Sequence, residues 1–228
     1  MIALLSDVHA NLSALDAVVK AAILLGVRKF ISLGDVVGYG PFPGECIDLL
    51  ESIQAESLLG NHDDFVISGT KSFRSKVVSD VIEYQRGKLT ERHIQWLEKS
   101  KVRLIEWDKY FVHGGPDGPC DQYLYEVSAS TIPQGFRWLF SGHTHVQCLA
   151  SFAGKSFCNP GSVGQPRDGD WRAAFATFDG SKVGLFRVPY DVDATVAAMR
   201  SAGFPERYYL NLYNGTQIGG RIDSIRIV

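Results

Sequence analysis

The chain has 228 residues, 45% of them hydrophobic and 21% charged, enough to bury roughly 70% of its unfolded surface without disulfide staples. A formal net charge of −2 argues against a dedicated nucleic-acid binder, which carries a basic footprint. No apolar run approaches the roughly 20 residues of a membrane span, and Met1-Ile2-Ala3-Leu4-Leu5-Ser6-Asp7 lacks the basic start and cleavage site of a secretory leader, so a cytoplasmic protein is expected.

In chain order, Ile2–Leu5 is predicted as a buried strand. Residues 11–25 follow as a helix, with Leu12, Leu15, Val18, Val19, Ala22 and Ile23 at helical spacing, Asn11 as N-cap and Gly26 as stop. Residues 30–33 form the second strand. A Gly-Pro-Phe-Pro-Gly turn leads into a helix over residues 46–53, and residues 57–59 form a third strand. Residues 73–86 and 90–100 read as helices. Strands separated by helices imply right-handed crossovers and parallel pairing. Beyond residue 101 the segments 102–107, 109–112, 137–140, 146–150, 155–158, 173–178 and 183–188 are short, apolar and separated by turns, which predicts a mostly antiparallel second sheet. Residues 193–202 form a last helix, and residues 204–228 carry no clear element. The expected fold class is α/β: a two-sheet β-sandwich flanked by helices, built as a single domain over residues 1–228. The tail aromatics Tyr208, Tyr209 and Tyr213 suit either a packed core edge or a contact between two copies, so monomer and homodimer both stand. Cys46, Cys120, Cys148 and Cys158 have no metal-finger spacing and are expected to be free and partly buried.

Five predicted strands end directly in residues that bind metals or move protons: Asp7 and His9; Gly34-Asp35; Gly60-Asn61-His62-Asp63; His113-Gly114; and Gly142-His143-Thr144-His145. In open α/β sheets ligands bind outside the carboxyl ends of the strands, so these groups converge on one crevice. Five of the six histidines lie in these segments; His93 falls on a predicted helix and is expected to be a solvated surface residue. Imidazole, carboxylate and amide oxygen without thiolate suit Mn, Fe, Co, Ni or Zn. The groups are too many for one tetrahedral ion and enough for two, with a shared carboxylate holding the ions roughly 3.5–4 Å apart, an arrangement that serves phosphoester hydrolysis.

Asp-x-His, Gly-Asp-x-x-Gly, Gly-Asn-His-Asp, His-Gly and Gly-His-x-His, in this order from Asp7 to His145, resemble the calcineurin-like metallophosphoesterase superfamily. The resemblance implies a four-layer α/β/β/α sandwich and a binuclear centre of two divalent transition-metal ions (Mn, Fe, Ni or Zn). It implies Asp7, His9 and His145 at the first ion, Asp35 bridging both, and Asn61, His113 and His143 at the second. His62 would contact the phosphoryl group and protonate the leaving oxygen, with Asp63 orienting or charge-stabilising its ring, while a metal-bridging hydroxide attacks in line.

The serine/threonine protein phosphatases of this superfamily carry an arginine soon after the second motif and another after the third. Here the chain continues Val36-Val37-Gly38-Tyr39-Gly40-Pro41 and Asp64-Phe65-Val66, without either. It is more similar to the small bacterial and archaeal phosphodiesterases of the superfamily, as is the stretch from Asn159 through Ser162 to Arg167. That stretch reads either as a tight turn or as the cleft rim, with Asn159, Ser162 or Arg167 on the substrate; Arg167 suits a phosphate, and Tyr39 walls the same pocket. The loop over residues 114–125 is either a lid or a solvated connection. The expected partner is a small or nucleotide-derived phosphoester, with no membrane and no nucleic acid. The alternatives are a phosphomonoesterase or nuclease of the same superfamily, or a non-catalytic protein-binding scaffold.

Overall fold

The computed structural model describes residues 1–70 and 75–228. The chain runs β1 (Ile2–Leu5), α1 (Leu12–Leu24), β2 (Lys29–Ser32), α2 (Pro43–Ser52), β3 (Glu56–Ser57), α3 (Asn61–Ser68), α4 (Lys76–Arg86), α5 (Glu91–Glu98), β4 (Arg103–Glu106), β5 (Lys109–Val112), β6 (Glu126–Val127), β7 (Trp138–Ser141), β8 (Gln147–Phe152), β9 (Lys155–Pro160), β10 (Ala173–Phe178), β11 (Val183–Val188), α6 (Val192–Ser201) and β12 (Arg226–Ile227). The start of the helix expected from Phe73 lies outside the described residues. Among the described residues, no helix is long and apolar enough to cross a membrane.

Two five-stranded sheets form the sandwich, in the orders β11-β10-β1-β2-β3 and β4-β5-β7-β9-β8. In the first, β1, β2 and β3 are parallel, as strand–helix–strand connections require. The second sheet corrects the antiparallel expectation. Its centre, β5-β7-β9, is parallel, and only β4 and β8 run antiparallel at the edges. Turn-rich sequence suggests hairpins, but the connection between β5 and β7 is long enough for a crossover. A second correction concerns β10 and β11, which join the first sheet, antiparallel, alongside β1.

Alternation along each strand sorts side chains between two faces. Leu4, Ile31, Phe111, Phe140, Ala176 and Phe178 meet between the sheets. There Phe111 and Phe140 stack at 4.7 Å, and Phe178 meets Phe140 edge-on at 5.2 Å; each buried ring contributes roughly 1.5–3 kcal/mol. Ala3, Leu5, Phe30 and Phe175 face the other way and pack with the apolar stripes of the helices. The outer face of the second sheet, with Tyr110, Val112, Leu139 and Phe157, is closed by Leu124, Val127 and Ile132, and Ile225 of the tail packs there too.

Local signals work as expected at α1, where Asn11 accepts from the Ala14 amide at 3.2 Å and Gly26 takes a left-handed φ of 81°. Helix α3 has no counterpart in the sequence reading, because its first turn is the Asn-His-Asp motif itself. Tyr208 and Tyr209 are buried in the helix-side core, whereas Tyr213 stays exposed. His93 is not the solvated residue expected. It is 7% exposed, its Nδ1 accepts from the Thr90 amide at 3.2 Å, and its Nε2 meets Asp48 Oδ1 at 3.1 Å. It caps α5 and ties it to α2. All four cysteines are free, with Cys46 and Cys158 buried.

Candidate metal centre

The parallel strands β1, β2 and β3 of one sheet and β5 and β7 of the other end at the same edge of the sandwich. Asp7, His9, Asp35, Asn61, His113, His143 and His145 meet there. Ligand-capable atoms of Asp7, His9 and His145 lie within 4.8 Å of one another, as do those of Asp35, His113 and His143, and those of His9, Asp35 and His62. All of these side chains are buried except Asn61, which is half-buried.

The two carboxylates are held alike. One oxygen of each is pinned by a backbone amide: Asp7 Oδ2 by His143 N at 3.1 Å, and Asp35 Oδ1 by His62 N at 2.9 Å. The other oxygen faces the cluster. Asp35 Oδ2 lies 3.4 Å from His113 Nε2, 3.8 Å from His9 Nε2 and 3.9 Å from His62 Nε2. Asp7 Oδ1 lies 3.3 Å from His145 Nε2 and 3.9 Å from His9 Nε2, and has no hydrogen bond.

Three rings are locked by carbonyl oxygens. His9 Nδ1 donates to Val37 O at 2.9 Å, His113 Nδ1 to Leu33 O at 2.9 Å, and His145 Nδ1 to Gln165 O at 2.7 Å. A carbonyl only accepts, so each Nδ1 carries the proton; the Nε2 of His9 and of His145 offers its lone pair inward, and that of His113 faces Asp35. His9 Nε2 and His145 Nε2 stand 3.1 Å apart. The buried Asn61 Oδ1 also has no protein partner. An orphaned buried acceptor is costly, and a cation among carboxylate, amide and imidazole donors removes that cost, so this donor set fits divalent ions.

Burial and the field of the cluster act together on its charges. Burial opposes ionisation of Asp35, but His113, His62 and His9 outweigh it and hold the carboxyl well below the usual range. Burial also opposes charging of His113, yet Asp35 raises its pKa to about 9. Burial raises Asp7 to about 6 and holds His9, His143 and His145 well below the ordinary histidine value.

The geometry is reached by strained backbone. Asp7, His9, Ala10, Asp35, Tyr39, His143 and His145 all have φ between 49° and 65°; among the described non-glycine residues only Gln54 and Trp107 share this elsewhere. Such residues cost of order 1–3 kcal/mol each and persist where surrounding structure over-determines them. Here the strand-end loops are laced together by Asp7 N to Gly34 O, His9 N to Asp35 O and Ala10 N to Val36 O, at 2.9–3.0 Å. Gly60 must be glycine, because a Cβ there would collide with the Asp35 carboxylate and amide.

His62 lies against His9 at 4.9 Å and Tyr39 at 4.8 Å between ring centroids. Among the described residues its Nδ1 has no partner, and burial lowers its pKa. The spacing places it near enough to Asp35 and His9 to stand among metal-capable groups. The structure gives Asp63 a different task from orienting that ring. Its Oδ2 accepts from the amides of Asp35 and Gly60 at 2.8 and 3.1 Å, and its Oδ1 from Val36 and Val37 at 3.0 and 3.1 Å. It shapes the loop that carries Asp35. Burial, with Asp35 nearby, raises its pKa to about 7.

Of the four residues expected at the rim, two lie behind the ligands. Asn159 donates to Gly142 O at 2.8 Å and Thr144 Oγ1 at 3.0 Å and accepts from Gly161 N, and Ser162 donates to Asp7 O at 2.7 Å. Both are fully buried, so the turn reading holds for them: they brace the loops that carry Asp7, His143 and His145. Tyr39 and Arg167 do reach the site. Arg167 Nη2 lies 3.3 Å from Tyr39 OH and 3.2 Å from Gln165 Oε1, its Nε has no partner, and its amide donates to His145 O at 3.1 Å. Among the described residues it is the only buried lysine or arginine.

Sequence reasoning missed Gln85, and it placed Tyr123 and Asp121 only as members of the loop over residues 114–125, a lid or a solvated connection. Tyr123 stacks on His143 at 3.8 Å, and Asp121 Oδ1 lies 3.6 Å from His143 Nε2; both sit on the loop after β5, which carries no periodic signal. Gln85 accepts from Gly38 N and donates to Gly40 O, each at 2.7 Å, fixing the Tyr39 loop. Its signal was present: it continues the apolar stripe of Val78, Val81 and Ile82 on α4.

Residues 1–182 match the calcineurin-like phosphoesterase superfamily domain. A protein of Methanocaldococcus jannaschii is 31% identical over 230 residues, covering 90% of this chain and 94% of its own. The crystal structure of a metallophosphoesterase from Sphaerobacter thermophilus is 35% identical with a TM-score of 0.82, covering 94% of this chain and 99% of its own. A structure of a hypothetical protein from Pyrococcus horikoshii, 21% identical over the same shares, has the same fold with a TM-score of 0.83.

Proposed function

Because this chain belongs to the calcineurin-like phosphoesterase superfamily, we propose that it is a two-metal phosphodiesterase acting on a small or nucleotide-derived phosphoester. The observation that carries the reading is the convergence of seven donors at strand ends, with Asp7 Oδ1 and Asn61 Oδ1 left without protein partners. Asp7, His9 and His145 would hold one ion and Asn61, His113 and His143 the other, with Asp35 shared. Mn, Fe, Ni and Zn all suit the donors. Such ions supply Lewis acidity at the phosphoryl oxygens and a nucleophilic water at neutral pH.

The chain's own groups do the rest. Arg167, buried and paired with no carboxylate among the described residues, grips a phosphoryl oxygen through its guanidinium. Tyr39 holds that guanidinium from below. His62, unlike His9, His113 and His145, has no carbonyl fixing its second nitrogen, so its ring is free to gain a proton and pass it to the leaving oxygen. The diester preference rests on charge: one buried cation faces the phosphoryl group, while Asp121 stands at the mouth beside His143. A singly charged diester suits this better than a doubly charged monoester or a nucleic acid.

The deciding experiment compares bis-p-nitrophenyl phosphate with p-nitrophenyl phosphate, on metal-stripped protein and on protein reloaded with Mn, Fe, Ni or Zn. Metal-dependent turnover favouring the diester is expected. A preference for the monoester makes the protein a phosphatase, and bound metal without turnover of either ester favours a scaffold.

A further inference from the structure

Residues beyond 182, outside the family match, return to the metal centre. The tail threads between two loops that border it. Asp223, only 7% exposed, donates its amide to Arg167 O at 2.7 Å. Its Oδ2 accepts from Tyr125 OH at 3.2 Å and Gln217 Nε2 at 2.6 Å, and Arg221 Nε meets Oδ1 at 2.9 Å. A second tie runs from Gly169 N to Gly215 O at 2.8 Å. Beyond Asp223, β12 pairs in parallel with β6, with Arg226 N bonded to Tyr125 O at 2.9 Å.

Each loop so anchored touches a histidine of the metal centre. On one side the Arg167 amide bonds His145 O at 3.1 Å. On the other, Tyr125 stacks on Tyr123 at 5.4 Å, and Tyr123 stacks on His143 at 3.8 Å. A continuous path runs from His145 through Arg167, Asp223, Tyr125 and Tyr123 to His143. We propose that the C-terminal segment is a strap that sets the gap between Arg167 and Tyr123 through Asp223, and thereby positions Arg167 for the phosphoryl group of the substrate.

The side-chain contacts of Arg167 explain why a strap is needed. Among the described residues its guanidinium meets the neutral oxygens of Tyr39 and Gln165, both beyond 3.1 Å, and the face of the Tyr39 ring, none of them a carboxylate that would fix it bidentately. Its position therefore comes from its backbone, held by His145 on one side and on the other by the Asp223 amide, whose own place the Asp223 carboxylate fixes through Tyr125. Asp223 is a positioning residue and touches no reacting atom. The proposal rests on the reading of Arg167 as the phosphoryl grip.

The test uses the full chain loaded with Mn and four variants: Asp223→Ala, Asp223→Asn, Tyr125→Phe, and Asp223→Ala with Tyr125→Phe. Metal content, the Kd for inorganic phosphate, and KM and kcat for bis-p-nitrophenyl phosphate are measured. Expected in Asp223→Ala and Tyr125→Phe are unchanged metal content, a rise of roughly 3–10-fold in KM and phosphate Kd, the loss of about one hydrogen bond, and kcat within about twofold. The double variant should be no worse than the worse single one, and Asp223→Asn should recover most of the affinity. Tyr125→Phe removes the bond to Tyr125 alone and leaves Gln217 and Arg221 on Asp223, which keeps the test open should Asp223→Ala fail to fold. Wild-type phosphate affinity and KM in both single variants overturn the strap, as does loss of metal in step with affinity. If the wild type turns over neither ester, the hydrolase reading fails, and the phosphate titration alone still decides the strap.

Discussion

His9 and His145 face each other nitrogen to nitrogen, 3.1 Å apart, while the far nitrogen of each ring donates to a carbonyl oxygen. Both inward nitrogens therefore carry lone pairs, and two lone pairs at that distance repel. The fold holds the rings there through Val37 and Gln165, on loops that are themselves laced to the strand ends. A cation beside Asp7 Oδ1 would turn the repulsion into coordination.

Stripping metal should therefore destabilise the folded protein. At an ion concentration about 1,000 times its Kd, binding stabilises by roughly 4 kcal/mol, which for a chain of this size is roughly 8–16 °C in Tm. Thermal melts with chelator and with added Mn or Zn measure it. Equal melting temperatures would remove the cation from the account.

Asp35→Asn should cost metal content and turnover together, since Asp35 Oδ2 faces His9, His62 and His113 at once. Turnover should fall by at least ~10²-fold. Elemental analysis beside a diester assay reads both, and a fully metallated, active variant would refute the shared-carboxylate assignment.

His62→Ala should keep its metal and lose turnover by roughly 10²–10⁴-fold with a poor leaving group. A nitrophenolate needs little protonation, so the loss should shrink markedly with nitrophenyl esters. A loss that ignores leaving-group basicity, or a drop in metal content, would make His62 a ligand in place of a proton donor.

Asp63→Ala should act on stability first. It leaves four amides of residues 35–37 and 60 without their acceptor, a cost of about 3 kcal/mol or more. Metal affinity should fall with it, because the Asp35 loop loses its template. Denaturant melts of the metal-free variant measure the first effect, and wild-type stability there would return Asp63 to a role at His62.

The residues that cluster at the candidate centre were legible in the chain because each closes a short apolar strand, and strand ends are local features. Asp7, Asp35, Asn61, His113, His143 and His145 needed only that pattern and the rule that parallel strands open their crevice at one edge. The three parallel strands of the first sheet were legible for the same reason.

Sheet membership was decided only in three dimensions. β10 pairs with β1 across most of the chain's length, and nothing near residue 173 announces the partner, since strand pairing is non-local. The roles of Asp63, Asn159 and Ser162 were hidden likewise. A buried carboxylate, amide or hydroxyl looks the same in sequence whether it faces substrate or a neighbour's amide, and only the folded loops show which donors it meets. Asp223 is the extreme case: a lone aspartate in a tail without periodicity, given its place by Arg167 and Tyr125, residues that tertiary packing alone brings together.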